Sequence, residues 1–153
     1  MKFSSAIMGL ALLTNGVFGQ KATVKNNCKA TVYVQSFPYD GSAKGTLTTL
    51  TTGKTYTETF KKSGSTIKIA TTKTLTNPLF FGYSFTANPD YAYYELNSEW
   101  GNPFAKSRNI LTPGAGCEKF DCASGKADCY STPAHKKVYG CPQPVDLSTT
   151  LCA

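Results

Sequence analysis

Six cysteines, one histidine and two closely spaced glutamates are the residues of this 153-residue chain whose types and spacing could carry chemistry. Cys117, Cys122, Cys129 and Cys141 share the stretch CEKFDCASGKADCYSTPAHKKVYGC with His135, the single histidine. Structural zinc takes closely paired cysteine knuckles, and only Cys117 and Cys122 approach that spacing, so no metal or cofactor site is expected. An even cysteine count in an exported chain favours disulfides and leaves no thiol over. No G-x-S-x-G elbow exists to place a nucleophile, and His135 reads as an exposed loop histidine.

Glu95 and Glu99 are the candidates for a glycosidase pair. Retaining hydrolases hold their two carboxyl groups about 5 Å apart and inverting ones about 6.5–9.5 Å apart. On one extended strand these two residues would stand about 13 Å apart. A pair would need a bend near Ser98 or a partner such as Asp40 or Asp90. Around them, Tyr91-Ala-Tyr-Tyr-Glu-Leu96 puts Tyr91, Tyr93 and Glu95 on one strand face and Ala92, Tyr94 and Leu96 on the other. The plainer reading of the first face is half-buried sheet packing. The functional one is a surface that stacks and hydrogen-bonds sugar rings, because tyrosine joins an apolar ring to a polar tip.

The elements that must position these residues are short strands. Lys29–Ser36 alternates with Ala30, Val32 and Val34 on one face; Thr55–Phe60 alternates, and Ser65–Ala70 sets Ile67 beside Ile69. Leu79–Phe85 and Tyr91–Leu96 are aromatic and β-favouring. Breaks fall at Pro38–Gly41, Thr52-Gly53, Ser63-Gly64, Asn77-Pro78 and Asn88–Asp90. The Thr-rich segment 46–59 reads as strand and turn, with Leu47, Leu50 and Tyr56 as strand positions. Strands at this spacing predict an antiparallel sandwich or barrel. After Gly101 the texture turns to Pro, Gly, Cys and charge, a loop-rich flank that needs covalent staples.

Residues 1–19 read as a signal peptide: Lys2, a short apolar run from Ala6 to Leu13, then Val17-Phe18-Gly19 before the cut. The run is too short to span a bilayer, and residues 20–153 are expected to form one extracellular domain. The net charge of +7 becomes +6 once Lys2 leaves with the leader. The lysines are dispersed and Arg108 is the single arginine, so nucleic acid is not an expected partner.

Several short motifs resemble thaumatin-like proteins, in order along nearly the whole mature chain. Ala22-Thr-Val-Lys-Asn-Asn-Cys28 followed by Thr31-Val-Tyr is similar to the family's first strands. Phe81-Gly-Tyr-Ser-Phe85, Asp90-Tyr and Asn102-Pro103 resemble its E-F-[ST]-L, D-Y-x-D and N-x-P elements. Gly116-Cys117-x4-Cys122, Cys129-Tyr-Ser-Thr-Pro, Cys141-Pro142 and the ending Ser148–Cys152 match its cysteine motifs. The compact size and six cysteines resemble more closely still a small fungal secreted family, the Blastomyces yeast-phase-specific proteins. From the cysteines alone fifteen pairings are open; the resemblance implies Cys28–Cys152, Cys117–Cys141 and Cys122–Cys129. It also implies an acidic, glucan-associated cleft, but the position of one cleft glutamate falls at Gly82 and that of a cleft aspartate near Tyr94 or Glu95.

The combined expectation is a secreted, monomeric thaumatin-like antiparallel β-sandwich with a loop-rich, disulfide-stapled C-terminal flank and no catalytic residues. Its partner would be a cell-wall polysaccharide such as β-glucan, or a host or other extracellular protein, met by Tyr91, Tyr93, Glu95, Glu99 and Trp100. The rival readings are a weak β-1,3-glucan hydrolase using Glu95 and Glu99, and a membrane-active antifungal or defence-type protein drawing on the basic charge.

Overall fold

A computed structural model describes residues 19–153 except Ala115; the expected leader, apart from Gly19, lies outside the described residues. Alternating side chains generate the strands. In β1 (Lys21–Asn26) Ala22, Val24 and Asn26 point inward and are buried, while Thr23 and Lys25 face out. The same period runs through β2 (Val32–Pro38), β4 (Thr55–Thr59) and β5 (Ser65–Ala70), with the short β3 (Thr48–Leu50) between them. The long hairpin of β6 (Leu79–Ala87) and β7 (Asp90–Asn97) turns at the predicted Asn88–Asp90 break.

Beyond Gly101 the chain is loop-rich, as expected, yet it also supplies four strands: β8 (Asn109–Thr112), β9 (Phe120–Cys122), β10 (Tyr139–Pro142) and β11 (Leu147–Leu151). These are built into both layers. The five-stranded sheet runs β4-β1-β11-β8-β9 and the six-stranded sheet β10-β7-β6-β5-β2-β3. Neighbours are antiparallel except β1 and β11, which run parallel from Ala22 beside Leu147 to Asn26 beside Leu151. Ala30 departs from expectation: it is exposed in the turn before β2 rather than sharing the inner face of Val32 and Val34.

Between the layers lies one core containing Ile67, Ile69, Phe81, Tyr83, Tyr94, Leu96, Leu111, Phe120 and Leu147. Each large apolar side chain removed from water there is worth about 1.5–3 kcal/mol before entropy is counted. Disulfides join Cys28–Cys152, Cys117–Cys141 and Cys122–Cys129. The first ties the ends of β1 and β11 across 124 residues of sequence. Two buried asparagines satisfy the backbone beside it. Asn26 Nδ2 donates to the carbonyls of Ala30 and Leu50 at 2.9 Å, and its Oδ1 accepts from Cys28 N at 2.8 Å. Asn109 donates to Phe104 O and Tyr130 Oη and accepts from Cys152 N. Strand ends buried without such partners would leave orphan polar groups.

A polar bolt also crosses the core. Glu58 on β4 points inward and is buried, and its two oxygens accept from Tyr56 Oη and Tyr83 Oη, both at 2.8 Å. Tyr83 belongs to the opposite sheet, so this carboxylate links the layers. Burial, chiefly, drives both phenols well above their ordinary pKa, and the adjacent Glu58 charge adds to the rise.

Candidate functional site

The outer face of the six-stranded sheet holds the candidate residues Tyr91, Tyr93 and Glu95. Strand parity turns Tyr91, Tyr93 and Glu95 of β7 outward and buries Ala92, Tyr94 and Leu96. Of the two positions at which the resemblance places a cleft acid, Tyr94 is in the core, its hydroxyl donating to the Glu118 carbonyl. Burial raises that phenol to about 12. Glu95 is the one on the surface.

Across the ladder from Tyr93 stands Gly140, and a Cβ there would lie 3.1 Å from the Tyr93 ring and 3.3 Å from that of Tyr91. The tyrosine rings therefore lie over bare backbone, stacked on each other at 6.1 Å and 27°. Glycine in this strand is what lets the rings lie down on the sheet. The face is half-buried, with the rings' remaining surface open to solvent.

Gly82 sits opposite Glu95 and has an equally specific role. A Cβ there would meet Glu95 Cγ at 3.2 Å and Tyr39 Oη at 3.3 Å. Glu95 and Tyr39 occupy the space in which a side chain at position 82 would begin. Tyr39, from the turn after β2, accepts a hydrogen bond from Thr66 Oγ1 at 3.0 Å. Partial desolvation of this half-exposed ring holds its phenol above the ordinary value against that bond, and the charge of Glu95 reinforces the rise. Lys136 reaches in from the β9–β10 connection to place Nζ 3.4 Å from Glu95 Oε2. Together with Val138 these groups line a shallow concavity of about 210 Å³, in which Glu95 is the only carboxylate among the described residues.

Glu99 and Trp100 go elsewhere. Glu99 N donates to Asn97 Oδ1 at 2.8 Å in a turn that leads the chain off β7, and its side chain is exposed and does not line the concavity. Trp100, 61% exposed, borders a separate groove with Lys68, Pro78 and Phe80. His135 is exposed in a tight turn whose Thr132 and His135 backbones pair with each other. Among the described residues no group of three or more His, Cys, Asp or Glu side chains is arranged to hold a metal.

Tyr39, Lys136 and Val138 were not singled out in the sequence. They arrive from two loops about a hundred residues apart, and nothing local signals their convergence. Phe80 and Lys68 could have been found, since their parity opposes the buried Phe81, Ile67 and Ile69.

Two layers with β1 and β11 parallel at the termini, tied by a terminal disulfide, define a thaumatin-like β-sandwich. The solved thaumatin-like xylanase inhibitor TLXI has this fold with a TM-score of 0.60 at 15% identity, covering 86% of this chain and 99% of that one. More specifically, the chain matches the Blastomyces yeast-phase-specific protein family, Bys1, over residues 9–153, and it belongs to that family. It is 65% identical to the protein elicitor MoHrip2 from Magnaporthe oryzae, whose crystal structure it matches with a TM-score of 0.86 over 88% of this chain and 100% of that one. No curated protein sequence matches the chain.

Proposed function

We propose that the protein is a secreted, non-enzymatic recognition protein that acts as a monomer at a cell wall or host interface. Its binding surface is the outer face of the six-stranded sheet, and its ligand is a cell-wall polysaccharide such as β-glucan. One observation carries this reading. The large apolar side chains exposed among the described residues are Tyr39, Val138 and Trp100, and all three border this face. Exposed rings beside a few fixed polar groups suit sugars, which present apolar ring faces edged by hydroxyls. A concavity of about 210 Å³ is smaller than a pocket that engulfs a whole small molecule, and it fits one ring of a polymer.

The recognition reading is favoured over hydrolysis by the carboxylates. Glycoside hydrolysis needs two, and here Glu95 stands alone in the concavity, paired with Lys136. Similarity to an elicitor supports action outside the cell, at a host interface. The test is co-sedimentation with insoluble β-1,3-glucan, chitin and cell walls, wild type beside Tyr93→Ala, with reducing ends assayed in the supernatant. The proposal expects retention that Tyr93→Ala loses, and no release of reducing ends. Retention on none of the polymers would point instead to an extracellular protein as partner. Sugar release abolished by Glu95→Gln would make the protein a hydrolase.

A further inference from the structure

The groove next to the Glu95 concavity has a different chemistry. Its wall is the exposed indole of Trp100, its floor includes Phe80, and Lys68 brings a cation. The volume is about 550 Å³. Lys68 Nζ is held 4.4 Å from the Phe37 ring centroid and 5.4 Å from that of Phe80, within the range of cation–π attraction. Among the described residues no carboxylate forms a salt bridge with it. The ammonium is thus positioned by two rings and left electrostatically unmatched in a chain of net positive charge.

Trp100 is braced from below. Gly101 has a φ of 139° and packs so tightly on the next loop that a Cβ would lie 2.4 to 2.6 Å from Asn77 backbone atoms. Asn77 and Leu75 themselves adopt left-handed backbone, with φ of 48° and 53°. Glycine and asparagine adopt positive φ readily, so Leu75 is the one costly backbone position here, and what the contact between the two loops holds in place is an indole outside the core. Such strain persists where surrounding structure over-determines it, often at ligand sites.

We propose that this groove binds a uronate-bearing polysaccharide, with one sugar ring on the Trp100 indole and its carboxylate on Lys68 Nζ. The site is separate from the Glu95 concavity, and it rests on the proposed function in that Trp100 also counts there among the exposed side chains of this face. A single lysine matches one singly charged carboxylate per sugar. The one arginine, Arg108, whose fork would favour bidentate anions of any kind, is occupied on the other sheet by two 2.8 Å bonds to Asp121, which leaves Lys68 as a single point charge in the groove.

Affinity electrophoresis of the mature chain through gels containing polygalacturonate, dextran or dextran sulfate tests this. Polygalacturonate should retard the wild type and dextran should not. Trp100→Ala and Lys68→Met should each weaken the retardation about tenfold or more, since they remove the stacking plate and the charge respectively. Methionine keeps an apolar stem over Phe37 and Phe80, and thermal melts of both variants should stay close to wild type. Tyr93→Ala should leave the retardation unchanged, which separates this site from the concavity. No retardation by polygalacturonate, retardation undiminished in Trp100→Ala, or equal binding of dextran sulfate through the same residues would each overturn the proposal.

Discussion

The two outer faces of the sandwich are made by the same alternation and present opposite chemistries. On the five-stranded sheet Thr57, Thr23, Ser148 and Thr112 stand in one row across β4, β1, β11 and β8, with Thr23 Oγ1 bonding Ser148 Oγ at 3.0 Å. Hydroxyls of this kind are satisfied by water and by one another. On the six-stranded sheet the outward positions include Phe37, Phe80, Tyr91 and Tyr93, joined at the rim by Tyr39 and Trp100. Ring surface left in water forgoes about 25 cal/mol per Å² that burial would have returned. These rings are half-buried or exposed and stand outside the core that the inward aromatics fill. This contrast is why recognition is proposed for the six-stranded face.

The sharpest way to break the aromatic face is through its backbone. Gly101→Ala should destabilise the protein by about 3 kcal/mol or more, because the new methyl meets Asn77 backbone at 2.4 Å in a left-handed conformation. Gly53→Ala, in the turn leading to β4, has the same left-handed sign with nothing within 4 Å, and should cost only about 1–2 kcal/mol. Chemical denaturation of the two variants side by side measures the difference.

Next in size is the bolt that joins the layers. Glu58→Gln leaves a neutral amide facing two phenols that donated to a carboxylate, and should cost roughly 1–3 kcal/mol in the same assay. Gly82→Ala comes after it. Its methyl would displace Glu95 and Tyr39, whose ends are flexible, so folding should change by about 1 kcal/mol or less while polymer retention falls.

The smallest effect lies on the hydroxyl side. The Arg108 guanidinium bonds both oxygens of Asp121 and holds its carboxyl at about 2, below the ordinary 3.8. A depressed carboxylate stabilises the fold above its unfolded pKa, and that contribution is lost as pH falls from about 4 towards 2. The pair is exposed, so solvent screens it and the loss should be small. Melts of wild type and Asp121→Asn should converge as the pH drops through this window.

What was legible in the sequence followed alternation. The parity of Tyr91–Leu96 could be read directly, and so could the strands around Val34, Ile67 and Phe81. The disulfide pairing was not readable from spacing and came from the resemblance. β8 to β11 escaped because each is five residues or fewer and contains or adjoins Pro, Gly or Cys. Their inward residues include Asn109, Cys122 and Cys141, which register as polar or as staples rather than as core. Glu58 was hidden for a related reason: a carboxylate in a Thr-rich strand looks solvated until two phenols from different strands are found around it. The concavity was half visible. Tyr93 and Glu95 belong to a regular strand, whereas Tyr39 and Lys136 meet them only through loops whose courses no local pattern dictates.

The most direct test of the proposed recognition face is a matched co-sedimentation with insoluble glucan and cell walls, using wild type, Tyr93→Ala and Thr57→Ala. Both substitutions remove one outward side chain from one sheet, and thermal melts establish that both variants fold. Wild type and Thr57→Ala should be retained, and Tyr93→Ala should bind about tenfold more weakly, the loss expected from one stacked ring. Equal retention of all three, or a loss in Thr57→Ala alone, would contradict the proposal.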